Sequence, residues 1–598
     1  MDLARALDVA IDAARAAGAL LLADFHRPDG PRGHGDKAEA DVEAENLIRA
    51  RLLGAFPGWR FLGEETGRES GDAESPLWLV DPNDGTRDYL LGARGSAVSI
   101  GLLLDRRPVL GVVFAFAYPD SAGDLFAWAE GAGPIRRNGR TVDAQLPQIL
   151  EPGDEVLASS KADRDPEGNL RCASPARFRA VPSIAHRLAL VAAGEAAATS
   201  SLYAPCAWDY GAGHALVRAA GGVLVDEAGV EVTYAEDGTS NTVRAYAGAP
   251  AVAVMLARRP WETVGSVRRS SGRARLRPGQ ATPDAGLLSR AQGCLLGQVA
   301  GDNLGALVEF FSHDRIAEQH GDGPRRLEDG GVWDLMAGQP TDDSEMALAL
   351  ARSIVRSGGY SVDDALQAYR DWLASDPFDA GTTTRSALGG RLMPASQANG
   401  SLMRVSPLGV FAHRRSPAEA AALARLDSSL THPHPVCRDA AAAFTVAIAH
   451  AVAHGDGPEA AHAAAVTWAR AAPAEAAVTA ALERAASTPP VCDEGHVGWV
   501  LVALQNAFYE LLHARGVEEG VVDSVRRGGD TDTNAAIAGA LLGAVHGRDG
   551  IPLQWRRRVL SCRPLASHSR HPRPAEFWPV DVLELAELLC LDSGGPTA

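Results

Sequence analysis

Over residues 1–260, short hydrophobic runs rich in β-branched residues alternate with amphipathic stretches. "AVSIGLLL", "PVLGVVFAFAY" and "GGVLVDEAG" are each bounded by turn residues, which is the pattern of sheet strands. The opening "MDLARALDVAIDAARAAGALLLADF" repeats its apolar positions with helical spacing and carries acids. It predicts a folded first helix rather than an export signal. From residue 286 onward the pattern changes to long alanine-rich stretches such as "DSEMALALARSIVRSG", "RDAAAAFTVAIAHAVAHG" and "TNAAIAGALLGAVHG". These keep helical spacing and have few β-branched residues. The expectation is two domains, an α/β half (layered α+β, residues 1–260) followed by an all-α half (residues 286–598). Between them, residues 261–285 are rich in Ser, Gly, Arg and Pro and basic in an acidic chain, which predicts a solvated linker. Binding of an acidic partner is the alternative reading of that run.

Composition narrows the classes of function. A chain of 598 residues suits two domains, and its net charge of −18 disfavours nucleic acid and anionic membranes as partners. Phosphorylated substrates stay open, because bound cations reverse the local sign. The seven cysteines (172, 206, 294, 437, 492, 562 and 590) are odd in number and lack paired short spacing. That points to a reducing cytoplasm, with neither a disulfide framework nor a thiolate zinc site. No apolar run long enough to cross a bilayer is expected. Lysine occurs only at positions 37 and 161, so arginine carries almost all the positive charge.

The candidate chemistry begins with "WLVDPNDGTRDYLLG", where Asp81 and Asp84 follow a buried strand and precede Gly85 and Thr86. Such residues make an ordinary turn. They also suit a hard cation, with backbone amides beyond to receive a phosphate. Two other segments add acids: Glu64 in "FPGWRFLGEETG" and Asp209 in "CAWDYGAGHALVRAAGGVLVDEAG". Three motifs in this order resemble the inositol monophosphatase family, magnesium phosphatases of small phosphorylated metabolites, over residues 1–257. The resemblance implies that Glu64, Asp81 and Asp84 ligate metal through carboxylates and Asn83 through its carbonyl. Asp209 would hold a second Mg²⁺ and Asp41 would lie near a third. Thr86, with Glu64, would orient the attacking water, and the amides of Gly85 and Thr86 would receive phosphate. Two departures bear on substrate. Ala38 replaces a family threonine near the third metal, and Leu202 replaces an acid that orients inositol, which argues against an inositol phosphate. Arg187 falls near a lysine of 3′-nucleotide phosphatases and would hold a second phosphate, a solvent-facing arginine being the other reading.

The helical half repeats the pattern. "GQPTDDSEMALALARSI" and "RRGGDTDTNAAIAGALLGAVHG" each run from acids and threonines into an apolar helix. Helix capping explains one such residue per helix, whereas Thr341, Asp342, Asp343, Asp530, Asp532 and Thr533 supply the excess oxygen donors of a binuclear centre. With "GCLLGQVAGDNLGALVEF", which leads to Glu309, and "QANGSLMRVSPLGV", these stretches resemble the ADP-ribosylglycohydrolase family over residues 286–595. The resemblance implies two Mg²⁺ or Mn²⁺ ions on those six residues and an acid, Glu309, near the anomeric carbon. Asn399, Gly400, Ser401 and Met403 would line the ADP-ribose, and His432 would border the cleft or serve as a helix-entry residue. "SHSRHPRP" reads as an exposed loop rather than a metal site.

The combined expectation is a bifunctional hydrolase. Its partners would be a small phosphorylated metabolite and ADP-ribose or an ADP-ribosylated molecule, with no nucleic acid or membrane, and a homodimer is allowed for. The alternatives are a 3′-nucleotide phosphatase joined to an unrelated ADP-ribosyl hydrolase, or one half serving only as a ligand-binding module.

Overall fold

The structure is a computed structural model that describes residues 2–69, 71–72, 74–240, 242–265, 273–472 and 474–591. The chain divides into two compact units, Met1–Ser271 with Leu276–Pro283, and Gly272–Arg275 with Asp284–Ala598.

The first unit opens with helices α1 (Leu3–Phe25) and α2 (Glu39–Ala55), which pair with each other. A large sheet follows: β1 (Arg60–Gly63), β2 (Gly67–Glu69), β3 (Leu77–Asp84), then, after the short helix α3 (Thr86–Leu90), β4 (Ala97–Leu104), β5 (Arg107–Ala115), β6 (Asp124–Ala129), β7 (Arg136–Arg137) and β8 (Arg140–Thr141). Its order is β8-β7-β6-β5-β4-β3-β1-β2, antiparallel except for the parallel pair β1 and β3. A second sheet, of order β10-β9-β11-β13-β12, is built from β9 (Glu155–Ala158), β10 (Arg177–Ala180), β11 (Ala198–Ser201), β12 (Val223–Val225) and β13 (Ala245–Gly248). Helices α4 (Ile184–Ala192) and α5 (Ala207–Ala219) pack together and touch strands of both sheets, while α1 and α2 pack on the large one. The central strands are buried on both faces, which is why they read as unbroken apolar runs. Glycines set the spacing of α5. A Cβ at Gly111 of β5 would lie 2.1 Å from the Ala212 carbonyl oxygen, so strand and helix backbones touch there.

The second unit contains no named strand among its described residues. The helices that carry or support its site are α6 (Ala285–Gly305), α7 (Asp342–Ser357), α8 (Val362–Ala374), α9 (Thr382–Leu388), α10 (Pro435–His454) and α11 (Thr531–His546). The centre of the unit is the contact between α6 and α11. A Cβ on Gly293, Gly297, Gly301 or Gly305 would lie 2.1–2.3 Å from a carbonyl oxygen of α11: 2.2 Å from Gly543, 2.2 Å from Gly539, 2.1 Å from Ala535 and 2.3 Å from Thr531. One glycine per turn lets the two backbones meet.

Two expectations need correction. The run 261–285 is not a solvated linker over its described length, although residues 266–272 lie outside the described residues. Leu276 is buried in the first unit; in the second, the Ala274 amide donates to Asp581 (2.5 Å) and Arg273 pairs with Glu584 (2.9 Å). Helix α10 is long and apolar enough to cross a membrane by length and composition, contrary to expectation, and 83% of that window is buried inside the protein. Alanine accounts for the discrepancy, because it fills both α10 and the core around it.

The glycine contact generates a test. Gly297→Val is expected to force α6 from α11 and destabilise the second unit by about 3 kcal/mol, the cost of overpacking. Scanning calorimetry of the full chain should show that unit's transition lowered. An unchanged thermogram would refute a backbone-to-backbone contact at this position.

Candidate active sites

The first site forms where β3 breaks. Strand register against β4 shifts between Asp81 and Asp84, a bulge at Pro82, which has no amide hydrogen for the ladder. The Asn83 amide donates to Asp81 (2.8 Å), and Gly85 takes φ +103°, where glycine is unstrained, to turn the chain into α3. Asp41, in the first turn of α2, accepts from the Asn83 side chain (2.9 Å) and the Thr86 hydroxyl (2.8 Å). Glu64 follows β1 beside Asp81, and Asp209 enters from the first turn of α5, accepting from the Cys206 amide (2.8 Å). The residues of the sequence motifs therefore do gather at one place.

Electrostatics show what the gathering costs. Desolvation pushes Asp41 up to about 7, with Glu65 and Glu64 adding to the shift. Desolvation and the charges of Glu65 and Asp84 raise Glu64 to about 7, although its residue keeps solvent on one side. Burial, then Glu64, Asp84 and Asp209, hold Asp81 well above the carboxylate range, and Asp209 is raised by burial and Asp84. Asp84 is also raised by burial, against which Ser183 (2.5 Å) and the Ala185 amide (2.7 Å) both donate to it.

Some expected roles change. Thr86 bonds Asp41 and the Asn83 carbonyl (3.0 Å), which fixes its hydroxyl beside the acids. Arg187 is neither a surface residue nor a fork for phosphate. It is buried in α4 and donates to the carbonyls of Val181 and Pro182, both at 2.8 Å. Those bonds hold the turn that presents Ser183 and Ala185 to Asp84, so Arg187 is a positioning residue. Ala38 is the N-cap of α2 and makes no side-chain cap bond there, so the departure from threonine removes a helix cap. Leu202 is half-buried between β11 and α5. Sequence reading missed Glu45, one turn after Asp41, which accepts from the amides of Glu65 (3.0 Å) and Thr66 (2.6 Å) and fixes the segment bearing Glu64. A buried acid on an otherwise solvated helix turn was the available signal.

The second site lies where α7 and α11 begin. Neither Thr341 nor Asp530, their N-caps, makes a side-chain cap bond, so capping does not explain these acids. The Thr341 hydroxyl bonds Asp302 (3.0 Å) and Asp343 (3.1 Å), and Thr533 bonds Asp343 (3.4 Å). Asp530 accepts from Asn399 (2.7 Å) and Asp342 from the Gly381 amide (3.0 Å). Oxygens of Glu309, Asp530 and Asp532 all lie within 4.8 Å of one another, a spacing a single cation can hold. Burial raises Asp342, Asp343 and Asp532 well above the usual range, helped by the charges of Asp379, Asp342 and Glu309 respectively. Glu309 is pushed up to about 8, mainly by burial, while the Trp333 indole N–H donates to it.

Two acids here were not foreseen. Asp302, buried in α6, accepts from the Thr341 and Ser344 amides (both 3.1 Å), and burial raises it to about 7. An acid inside a glycine-studded apolar helix was its signal. Asp379, in the segment between α8 and α9, is raised by burial and by Asp530 and gave no motif. Of the predicted ADP-ribose loop, Asn399 and Gly400 border the acids. A Cβ on Gly400 would lie 2.9 Å from the Thr384 hydroxyl and 3.1 Å from His432 Nε2. Ser401 and Met403 are buried. The Ser401 hydroxyl accepts from Ser428 (2.9 Å), and Met403 packs in the core. His434 is the helix-entry residue, accepting from Val436, whereas His432 is buried against Thr431 with Nε2 unpartnered. "SHSRHPRP" is only partly exposed. Arg573 pairs with Glu345 in the interior (2.8 Å), and His571 Nε2 lies 2.9 Å from the Trp333 carbonyl.

Both donor sets fit hard divalent cations. They are oxygen-only, crowded with mutually repelling carboxylates, and leave Asn83 Oδ1 and Asp343 Oδ1 buried without partners. Comparison with known proteins agrees with this geometry. The inositol monophosphatase family model matches residues 2–257 and the ADP-ribosylglycohydrolase model residues 283–580. Inositol monophosphatase 1 of Solanum lycopersicum is 33% identical over 38% of this chain and 85% of its own. The ADP-ribosyl-[dinitrogen reductase] glycohydrolase of Rhodospirillum rubrum is 32% identical over 45% of this chain and 90% of its own. The chain belongs to both families. A third relative, the ADP-ribosylarginine hydrolase Tri1 of Pseudomonas putida, is 29% identical over 46% of this chain and 76% of its own. This inositol monophosphatase–ADP-ribosylglycohydrolase fusion is thus a bifunctional, metal-dependent hydrolase.

The raised acids give the fusion protein a pH signature. Asp41, Glu64 and Asp302 sit at about 7 and Glu309 at about 8 when folded, against about 4 in an unfolded chain. Between those limits the folded state binds more protons, so stability from these groups is full below about 4 and lost as pH rises through 7–8. Without divalent cation the melting temperature is expected to fall from pH 5 to pH 8, and millimolar Mg²⁺ should remove most of that slope. A slope indifferent to Mg²⁺ would sink this account.

Proposed function

We propose that the N-terminal half hydrolyses the monoester of a small sugar or nucleotide phosphate using two or three Mg²⁺, and that the C-terminal half cleaves a glycosidic bond of ADP-ribose using two Mg²⁺ or Mn²⁺. The observation that carries this reading is the convergence, in each half, of acids from separate segments that raise one another's proton affinity. The names of the relatives attach ADP-ribose to dinitrogen reductase and to arginine, so a guanidine-linked ADP-ribose is the first substrate to try. The free cysteines support a reducing cytoplasm.

In the phosphatase half, Glu64, Asp81, Asp84, Asp209 and the Asn83 carbonyl would hold the cations. The cations, when bound, supply positive charge for the phosphate oxygens and lower the proton affinity of the attacking water. The Thr86 hydroxyl spends its proton on Asp41 and so offers lone pairs to a water proton. Asp41, raised toward neutrality, is able to take that proton from Thr86 Oγ1. Glu45 and Ser183 keep the acid-bearing segments in register.

In the glycohydrolase half, Thr341, Asp342, Asp343, Asp530, Asp532 and Thr533 would hold the cations. Glu309 and Asp379 flank them, and the bond from Trp333 fixes the direction of the Glu309 carboxyl. A reaction through a cation-like sugar needs a carboxylate beside the anomeric carbon and an acid for the leaving group. The two unequal environments suit that division.

Separate substitutions test the pair. Asp84→Asn is expected to lower Mg²⁺-dependent phosphate release at least about 100-fold, the scale of losing one preorganised electrostatic partner, with ADP-ribosyl hydrolysis retained. Asp530→Asn should do the converse. Both rates are read from one preparation of each variant. A half with no activity in the wild type is reduced to a binding module, and an activity that its own substitution leaves intact does not arise at the site proposed.

A further inference from the structure

Because Arg187 is buried, the second-phosphate role that sequence comparison offered it is empty, yet the structure groups other cations at the phosphatase centre. We propose that Arg87, Lys161 and Arg164 form an anion subsite on the rim of that centre, where they receive a second phosphoryl group of the substrate. The inference rests on the phosphatase reading above and narrows its substrate class to molecules with two phosphoryl groups.

The placement comes from three segments that border the acids. Arg87 follows Thr86 in α3. Lys161 and Arg164 lie on a 3-10 turn, Ser160–Arg164, directly after β9. Tyr203 follows Leu202 on the stretch that leads to Asp209. Two contacts tie these segments together: the Ser160 hydroxyl donates to Asp88 of α3 (2.7 Å), and Lys161 Nζ stands 4.1 Å from the Tyr203 ring centre. The Tyr203 ring is exposed, as are Arg87 and Arg164, and Lys161 is half-buried.

The cluster is unusual for this chain. The net charge is −18 and lysine occurs at only two positions, yet one of them sits with two arginines beside the site that needs anions. Partial burial, then the charges of Arg87 and Arg164, lower the Lys161 ammonium, while Asp88 opposes them. Asp88 accepts from Ser160 and offsets only one of the three charges. Three cationic side chains around one carboxylate keep an excess of positive charge, which an anionic ligand relieves. Leu202 beside them offers no hydrogen bond to a polyol, so charge rather than hydroxyl recognition selects the substrate. A bisphosphorylated nucleotide, a sugar bisphosphate and a phosphorylated ADP-ribose share the required chemistry.

The test uses the full chain with Mg²⁺ and compares kcat/KM for matched pairs: adenosine 3′-phosphate against adenosine 3′,5′-bisphosphate, and fructose 1-phosphate against fructose 1,6-bisphosphate, with ADP-ribose 1″-phosphate as a further arm. The member with two phosphoryl groups is expected to win by about 10-fold or more, as one charge-assisted contact supplies about 1.5–3 kcal/mol. In Lys161→Gln/Arg164→Gln that ratio should fall toward one through KM, with thermal melting unchanged. Whichever arm wins identifies the source of the second group. A wild-type ratio near one, or a ratio the double variant leaves intact, overturns the subsite. If no arm releases phosphate, the phosphatase reading fails separately. Pyrophosphate titrated calorimetrically without Mg²⁺ then decides the subsite: binding weakened about 10-fold in the double variant supports it, and equal or absent binding refutes it.

Discussion

Opposing acids reach one point in the second unit only because two helix backbones touch. Side chains normally keep helix axes 8–10 Å apart. Along α6 and α11 the glycines at 293, 297, 301 and 305 remove that spacer, and Gly539 and Gly543 remove it from the other side. The last of these contacts, Gly305 against Thr531 and Asp532, sits at the mouth of the centre. Asp302 and Glu309 follow from α6, and Asp530, Asp532 and Thr533 from α11. The first unit obeys the same constraint in a sheet. Gly101 and Gly111 let α5 settle onto the strands, its Ala212 backbone taking the place of two side chains, and this brings Asp209 toward Asp81 and Asp84.

Packing of this kind imposes an electrostatic load, and the structure answers it with neutral donors. Asp84 is held by a serine hydroxyl and an amide, Asp302 by amides and a threonine, Asp530 by an asparagine and Asp342 by an amide. Neutral donors fix direction without cancelling charge, so the attraction for a cation is kept. Where the interior needs no such attraction, acids are instead paired with arginine, as in Arg573–Glu345 and Arg404–Asp427. In the second unit this contrast sets Asp302, Asp342 and Asp530 of the site apart from Glu345 and Asp427 of the scaffold.

This separation explains what could be read from sequence. "DPNDGT", "TDDSE" and "DTDTN" are local, since each puts its acids and hydroxyls at one strand or helix end, and the helical and strand patterns around them give the two folds. Glu45, Ser183, Asp302 and Asp379 support the same centres from segments up to 101 residues away from the group they hold, as Ala185 does for Asp84, and no short motif announces them. Arg187 shows the limit from the other side. Its position was correctly placed near the site, but position along a helix does not give direction, and the guanidinium points to the carbonyls of its own turn. Burial of Met403 in the core and of Ser401 against Ser428 is likewise not given by a loop motif.

The acids of the glycohydrolase centre also differ in how firmly they are placed. Asp342, Asp343 and Asp532 sit in the first turns of helices, and their backbones are fixed by those helices. Glu309 and Asp379 lie on irregular chain, and what steadies them comes from the stretch around residue 571 that had read as an exposed loop. Trp333 donates to Glu309, and its carbonyl lies against His571. The His571 ring packs 4.6 Å from Phe378, the neighbour of Asp379, and Arg573 grips Ser375 through its carbonyl (3.0 Å) and hydroxyl (2.7 Å). Cation-holding groups gain from rigidity, because a cation's affinity depends on fixed oxygens. Groups that move protons must follow a sugar as its charge develops, and loops restrained by a few contacts allow that. On the roles proposed above, the division between cation binding and proton transfer would follow the line that divides fixed backbone from tethered backbone in this centre.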